Sequence, residues 1–133
     1  MHAHSIIAAH PEVKGNVNPA LVEALAALAS CAQACTACAD ACLAEDMVKD
    51  LRQCIRLDLD CADICAMTAA IATRRTGSNA AILRRALELC VDACRACAAE
   101  CERHASMHEH CRLCMEACRR CEAACAEAMV RTE

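Results

Sequence analysis

The feature that most constrains this chain is the spacing of its sixteen cysteines, which fall in four segments and recur every three or four residues, apart from one interval of seven between Cys54 and Cys61. In chain order these cysteines are Cys31, Cys35, Cys38 and Cys42, then Cys54, Cys61 and Cys65, then Cys90, Cys94, Cys97 and Cys101, and finally Cys111, Cys114, Cys118, Cys121 and Cys125. Alternating intervals of three and four residues place side chains along one face of an α-helix, the face that points into a bundle. The spacing therefore predicts helices whose buried stripe consists of thiols where leucines usually stand.

The remaining composition also favours helices and excludes several classes of protein. The 133 residues include two Gly, two Pro and no aromatic residue, with 58% apolar residues, as expected for one helical domain and not for a disordered or turn-rich chain. A net charge of -4 gives no electrostatic reason to bind nucleic acid or an anionic membrane. Charged residues interrupt the apolar stretches, and the N-terminus does not resemble a secretory signal. We therefore expect a cytoplasmic protein, in which thiols hold metal more often than they form disulfides.

Caps and helix breakers divide the chain into four long helices. The predicted helices run from Asn18-Pro19 to about Ala44, from near Asp46 to Arg74-Arg75 with Gly77 as a stop, from Ser78-Asn79 to about His104, and from the capping box Ser106-Met107-His108-Glu109 to about Val130. Short connections make successive helices antiparallel, so we predict an all-α fold, an up-down-up-down antiparallel four-helix bundle with a Cys-lined core. We expect residues 1–17 to form an N-terminal arm or short helix, and residues 18–133 to form the metal-binding bundle domain.

The cysteine spacing has a direct consequence for metal binding. Seven cysteine pairs stand four residues apart, and such residues lie one above the other on a helix, with Cβ atoms about 5–6 Å apart. A metal–sulfur bond of about 2.3 Å requires two linear sulfur ligands to lie roughly 4.5 Å apart, which these pairs can reach. Soft thiolates at low coordination number favour Cu(I), whereas zinc prefers four converging ligands, which a ladder of pairs supplies less naturally.

The charge of the predicted core also favours a monovalent ion. Sixteen protonated thiols are neutral, and replacing each proton with one Cu(I) leaves the core neutral again. One divalent zinc per thiolate would place many positive charges in a medium of low dielectric constant, and one zinc per four thiolates would leave each site dianionic. The sequence therefore predicts multiple Cu(I) ions per chain, about one per cysteine.

Other interpretations of the cysteines remain open at this point. They are a zinc or mixed-metal thiolate buffer, a metal-sensing or redox-sensing regulator, an electron-transfer protein with iron–sulfur clusters, structural disulfides, and cysteines that act only as small apolar side chains. A nucleophile with a base and an orienting group is not apparent, because the cysteines repeat and do not converge on one site. We therefore expect a binding protein and not an enzyme.

The two ends of the predicted bundle differ in composition. One end carries His104, His108 and His110, and imidazole is an intermediate copper ligand suited to capturing an ion and passing it inward. We call it the histidine end and predict that copper enters there. The opposite end, which we call the leucine end, is predicted to be closed by apolar side chains, chiefly Leu21, Leu28, Leu83 and Leu87.

With these residues in place, the chain resembles the bacterial copper storage proteins, specifically their cytosolic branch. The resemblance covers residues from about 18 to 130 and depends on repeated CxxxC pairs in an aromatic-free, four-helix chain. It implies a homotetramer of bundles that stores and detoxifies Cu(I), with all sixteen cysteines as ligands and no donor or acceptor protein identified. Asp58 stands where the pattern would accept a further cysteine, and either a metal-binding or a solvent-facing role is compatible with its spacing.

Overall fold

Four long helices and two short ones make up the described part of the chain, residues 2–131 of a computed structural model. In chain order they are α1 Ala3–Ala8, α2 Pro19–Leu43, a 3-10 helix at Val48–Leu51, α3 Arg52–Thr73, α4 Ala80–Glu102 and α5 Glu109–Arg131. Helix α2 packs on α3 and α5, and α4 packs on the same two neighbours. The predicted all-α, antiparallel four-helix bundle is therefore confirmed. Residues 1, 132 and 133, which the predicted domain boundaries include, lie outside the described residues.

The start of α2 follows from local sequence chemistry. The Asn18 side chain accepts hydrogen bonds from the backbone N–H groups of Ala20 (3.0 Å) and Leu21 (3.3 Å), and Pro19 occupies the first helical position. Asparagine in this position satisfies N–H groups that have no partner within the helix, while proline has no N–H group to leave unpaired. The predicted N-terminus of this helix is confirmed, and its end at Leu43 lies one residue from the prediction.

Two other boundaries differ from the prediction. Helix α3 begins at Arg52 and not near Asp46, because a turn and the 3-10 helix occupy the intervening residues. Helix α5 begins at Glu109, so Ser106 lies in the preceding turn and the predicted capping box is wrong. The backbone carbonyl of His108 accepts from the N–H groups of Cys111 and Arg112, which makes His108 the first residue bonded into the helix. The turn between α4 and α5 is consequently held by backbone hydrogen bonds and not by a serine N-cap.

Helix α3 also ends earlier than predicted, at Thr73, so Gly77 lies in the α3–α4 turn and not directly after the helix. The positive φ of 67° at Gly77 still explains why a glycine occurs there, since residues with a side chain rarely adopt this conformation. Asn79 precedes α4 but makes no capping bond, and its side chain instead donates to the Ile71 carbonyl (3.2 Å). The turn is therefore tied to the end of α3.

The N-terminal segment covers the leucine end of the bundle. Ile7 of α1 is buried against the core, and the imidazole Nε2 of His10 lies 3.0 Å from the hydroxyl of Thr76 in the α3–α4 turn. The carboxylate of Glu12 accepts from the backbone N–H of Gly77 (3.2 Å). At the same end of the bundle four leucines are buried in the core, as predicted: Leu21, Leu28, Leu83 and Leu87. This end is therefore closed by two apolar layers, one from the bundle and one from α1.

Helix α2 is long and apolar enough to cross a membrane when only length and composition are considered. Its buried residues, however, belong to the leucine and thiol stripe that faces α3 and α5. Its exposed residues mix polar side chains, among them Glu23, Gln33 and Asp40, with small alanines. We interpret α2 as a core helix of the bundle.

The neutral thiol core leads to a prediction about folding. The reduced, metal-free protein should already be helical, because protonated thiols need no metal to be buried and behave as small apolar groups. Far-ultraviolet circular dichroism of the reduced apo protein, before and after Cu(I) addition, measures this directly. A coil spectrum that becomes helical only with copper would contradict the prediction.

Candidate metal centre

All sixteen cysteines lie in one buried column inside the bundle, each at most 1% exposed and each in the free thiol form. Pairs four residues apart on one helix do come together, for example Cys31 and Cys35, whose Sγ atoms are 3.8 Å apart. Most close sulfur contacts nevertheless join different helices, as between Cys35 and Cys118 (3.6 Å). The sulfurs therefore form a three-dimensional network, whereas the sequence predicted separate pairs along each helix.

This network changes one argument about metal preference. Groups of four sulfur ligands whose atoms lie within 4.8 Å of one another occur at several levels of the column, one being Cys31, Cys35, Cys61 and Cys118. The sulfur separation needed is about 3.8 Å for a tetrahedral ion and about 4.0 Å for a trigonal one, at a bond length of about 2.3 Å. Contacts of 3.6–4.0 Å suit both geometries. The expectation that spacing disfavours four-sulfur sites is therefore wrong, and the charge argument alone separates copper from zinc.

Burial keeps thiols at the histidine end protonated in the absence of metal. Loss of hydration raises the pKa of Cys42 to about 11, and burial likewise raises the pKa of Cys111 far above its usual range. Cys42 and Cys111 are therefore protonated at neutral pH when no metal is bound. An incoming cation must displace a proton for every thiolate that it generates.

Asp58 is completely buried within the thiol column. Its Oδ1 atom accepts hydrogen bonds from the thiols of Cys97 (3.1 Å), Cys114 (3.4 Å) and Cys101 (3.5 Å), and its Oδ2 atom lies 3.9 Å from Cys54 Sγ. Burial, which disfavours the charged carboxylate, raises the pKa of Asp58 to about 8. The carboxyl is therefore neutral near pH 7, and the solvent-facing alternative for Asp58 is wrong.

His104 and His108, which precede α5, and His110, the second residue of α5, are also brought together at the end of the column. His110 Nδ1 lies 3.4 Å from Cys38 Sγ and 3.6 Å from Cys111 Sγ, and these two sulfurs are 3.9 Å apart. The His108 side chain is 9% exposed, and the His104 side chain is 15% exposed. Met107 and Met47, which lie nearby in the sequence, are 64% and 39% exposed. One nitrogen and two sulfurs thus form a triangle suited to a three-coordinate soft ion.

Two glutamates bind these histidines, and neither was predicted as part of the site. Glu45 lies in the turn after α2 and contacts both His108 and His110, while Glu100 of α4 contacts His104. Hydrogen bonding from His110 holds the pKa of Glu45 below its usual range. The spacing of Glu100 and His104, four residues apart on one helix, could have indicated their contact. Glu45 is 63 residues from the nearer histidine, so only the fold brings them together.

A groove on one side of the bundle also leads to the thiol column. This groove of about 470 Å³ lies between α2 and α5, beside the small side chains of Ala34, Ala37 and Ala117. It reaches Cys38 and Cys114, the two thiols that are 1% exposed while the others are 0% exposed. The thiol column is therefore shielded least along this seam.

Solved structures of copper-bound proteins are similar to this chain. The copper storage protein of Streptomyces lividans, Ccsp, solved with 10 copper equivalents, is 49% identical with a TM-score of 0.93, over 97% of this chain and 98% of that one. Cu(I)-bound BsCsp3, also called a copper storage protein, is 35% identical with a TM-score of 0.69, over 83% and 95% of the two chains.

Sequence comparisons give the same result. An uncharacterised cysteine-rich protein of Bacillus subtilis strain 168, YhjQ, is 38% identical over 82 residues, which are 62% of this chain and 70% of that protein. The family model described as copper storage protein matches residues 17–130, which include all four long helices except the last residue of α5. The chain belongs to the copper storage protein family.

Proposed function

We propose that this chain stores Cu(I) inside its bundle and thereby limits the concentration of free copper. The observation that carries the proposal is the continuous column of sixteen buried thiols, each within a few ångströms of sulfurs on its own helix or on neighbouring ones. The Cu(I)-bound and copper-loaded relatives support the same cargo. Because every thiol contributes to one repeated arrangement, the column is suited to holding many ions and not to transforming a substrate.

The chemistry of loading follows from charge balance. Each thiol loses its proton to solvent as one Cu(I) binds, so one S–H bond is replaced by copper–sulfur bonds and the interior remains neutral. Thiolates that bridge two ions allow two-coordinate or three-coordinate Cu(I) with about one ion per cysteine. The contacts between helices can supply such bridges from α2 to α5 and from α3 to α4. Loading can therefore proceed without moving the helices apart.

The proposed ligands include all sixteen cysteines and four further side chains. The histidines His104, His108 and His110 are proposed to bind copper as it enters at the histidine end. Asp58 is proposed to act as an oxygen ligand, because its carboxyl group occupies a ligand position with Cys38, Cys54 and Cys101. We propose residues 18–133 as the storage domain, with residues 1–17 as a cover over the leucine end.

The cellular setting is also part of the proposal. We propose a cytoplasmic homotetramer, since the Streptomyces relative is described as cytosolic and free thiols persist in a reducing compartment. The exposed face of α2 supports self-association, because it presents alanines such as Ala26 and Ala37 that allow close approach of another helix. The size of the reduced protein in solution, measured by sedimentation, tests this part separately.

An anaerobic Cu(I) titration of the reduced protein against a chelator tests the storage function. We expect about sixteen tightly bound ions per chain, since ions and bridging thiolates then occur in equal number. A few more ions are compatible with the histidine ligands. Saturation near four ions would instead indicate four-sulfur sites and would contradict the proposed mode of storage.

A zinc buffer is the second candidate, and the four-sulfur groups are the observation that favours it. Zinc at one ion per four thiolates leaves two negative charges per site in the buried column, whereas Cu(I) leaves none. We therefore expect Cu(I) to displace zinc completely from a zinc-loaded sample. If zinc stays bound after one Cu(I) per cysteine has been added, the result would favour the zinc buffer.

A further inference from the structure

One carboxylate oxygen at the histidine end contacts two imidazoles. Glu45 Oε2 lies 3.0 Å from His108 Nδ1 and 2.9 Å from His110 Nε2. The two rings are stacked, with centroids 5.5 Å apart and planes inclined by 22°. Glu45 comes from the turn after α2, whereas His108 directly precedes α5 and His110 is the second residue of that helix. The Glu45 side chain therefore connects the turn after α2 with the N-terminus of α5 at the end of the thiol column.

The contacts define which nitrogen of each ring carries a proton. A carboxylate only accepts hydrogen bonds, so the nitrogen that faces it must be an N–H group. In a neutral imidazole the other nitrogen then has a free lone pair. His108 therefore carries its proton on Nδ1 and His110 carries its proton on Nε2. The same oxygen selects opposite tautomers in two neighbouring rings.

The free nitrogens occupy positions that suit metal binding. The lone pair of His110 is on Nδ1, the atom that forms the triangle with the sulfurs of Cys38 and Cys111. The lone pair of His108 is on Nε2, which is buried and is the one such side-chain nitrogen or oxygen without a hydrogen-bond partner within residues 2–131. Buried polar atoms normally have partners, so an unpartnered acceptor at this place is suited to an incoming cation.

Glu100 repeats the arrangement on the third histidine. Its Oε2 atom lies 3.0 Å from His104 Nε2, which leaves the lone pair of that ring on Nδ1. Its other oxygen accepts a hydrogen bond from the Arg103 guanidinium (3.0 Å). The Glu100 side chain is 9% exposed, so its position is well defined by packing. Every histidine of the histidine end thus has a carboxylate partner.

We infer that Glu45 and Glu100 are positioning residues for copper uptake, which select the imidazole tautomers that leave a free nitrogen for the incoming ion. This inference depends on the proposed function, because it assigns a role within copper uptake. Carboxylates that accept the second N–H of a metal-binding histidine typically change metal affinity or activity about 10- to 100-fold when they are removed. Neither glutamate touches the metal in this role.

The test begins on the reduced, metal-free protein. Long-range proton–nitrogen NMR spectra report the protonated nitrogen of each imidazole. We expect the Nδ1-protonated form for His108 and the Nε2-protonated form for His110, with the Nδ1-protonated signal of His108 lost in E45A. His104 should not change in E45A, because Glu100 binds it. E45Q should restore the pattern in part, since its amide oxygen still accepts a hydrogen bond.

Glu109 supplies a matched control. It lies between the two histidines in sequence, but its side chain is 67% exposed and contacts Arg112 instead. E109A removes the same number of atoms as E45A, at the first residue of α5 between the two histidines, and should leave all three tautomers unchanged. Loss of the His108 pattern in E109A would mean that the turn itself is disturbed, and would overturn the assignment to Glu45.

Copper uptake completes the test. With chelator-buffered Cu(I), stopped-flow uptake by E45A should be roughly tenfold slower or more, with the final stoichiometry unchanged. Unaltered tautomers in E45A, or both ring nitrogens protonated in the parent protein, would overturn the inference. Failure of the proposed function is separable, because it would appear as a low Cu(I) capacity in the parent protein while the NMR result stands alone.

Discussion

Replacing Asp58 with Asn is expected to stabilise the reduced, metal-free protein by several kcal/mol at pH 8 and to have little effect at pH 4. Burial raises the pKa of Asp58 to about 8 in the folded protein, whereas in the unfolded chain it is about 3.9. Between these pH values the folded state holds a proton that the unfolded state has lost, so stability falls as pH rises through this range. Each pKa unit corresponds to about 1.4 kcal/mol. Asparagine cannot ionise, so D58N removes this loss.

The measurement is the free energy of unfolding by denaturant at several pH values, under anaerobic reducing conditions. Asp60 provides the control, since it lies on the same helix with 52% of its side chain exposed, next to Arg56. D60N should follow the pH dependence of the parent protein. If the free energy of unfolding changed with pH in the same way in D58N and the parent between pH 4 and 8, Asp58 would be ionised in the folded state and the prediction would be wrong.

Asp58 also shows what helical spacing can and cannot predict. Both Leu57 and Asp58 are compatible with the cysteine stripe of α3, so spacing alone left the position of the carboxyl open. The structure buries Asp58 completely and leaves Leu57 partly exposed, because the neighbouring cysteines provide thiol donors that satisfy the carboxyl oxygens. Those donors come from α4 and α5. Which of the two residues is buried thus depends on the rotation and axial position of α4 and α5 relative to α3. The spacing of residues along one helix does not specify these positions.

The same limit explains the sulfur network. Intervals of three and four correctly predicted which face of each helix is buried, because that depends only on the helical period. The distance between Cys35 and Cys118 depends on how far α2 and α5 slide along each other. Pairs along one helix were therefore predictable, and the four-sulfur groups were not. Glu45 was missed for the same reason, since its contact with the histidines depends on the path of the α2–α3 connection.

Removing all three histidines of the histidine end should slow copper uptake and removal strongly while leaving most of the capacity intact. His104, His108 and His110 lie at the end of the thiol column, and His110 Nδ1 is 3.4 Å from Cys38 Sγ. Without the imidazoles, an incoming Cu(I) must lose its previous ligands before any intermediate ligand replaces them. We expect H104A/H108A/H110A to load roughly tenfold more slowly or more.

The other three histidines allow a matched control. His2, His4 and His10 lie in the N-terminal segment that covers the leucine end, where the leucine layers block access to the column. H2A/H4A/H10A removes the same number of imidazoles and should load at the parent rate. Stopped-flow uptake and chelator-driven removal, compared with final stoichiometry, separate rate from capacity. Equal uptake rates for both triple variants would show that copper does not enter at the histidine end. The groove between α2 and α5, which reaches Cys38 and Cys114, would then be the least shielded route to the thiol column.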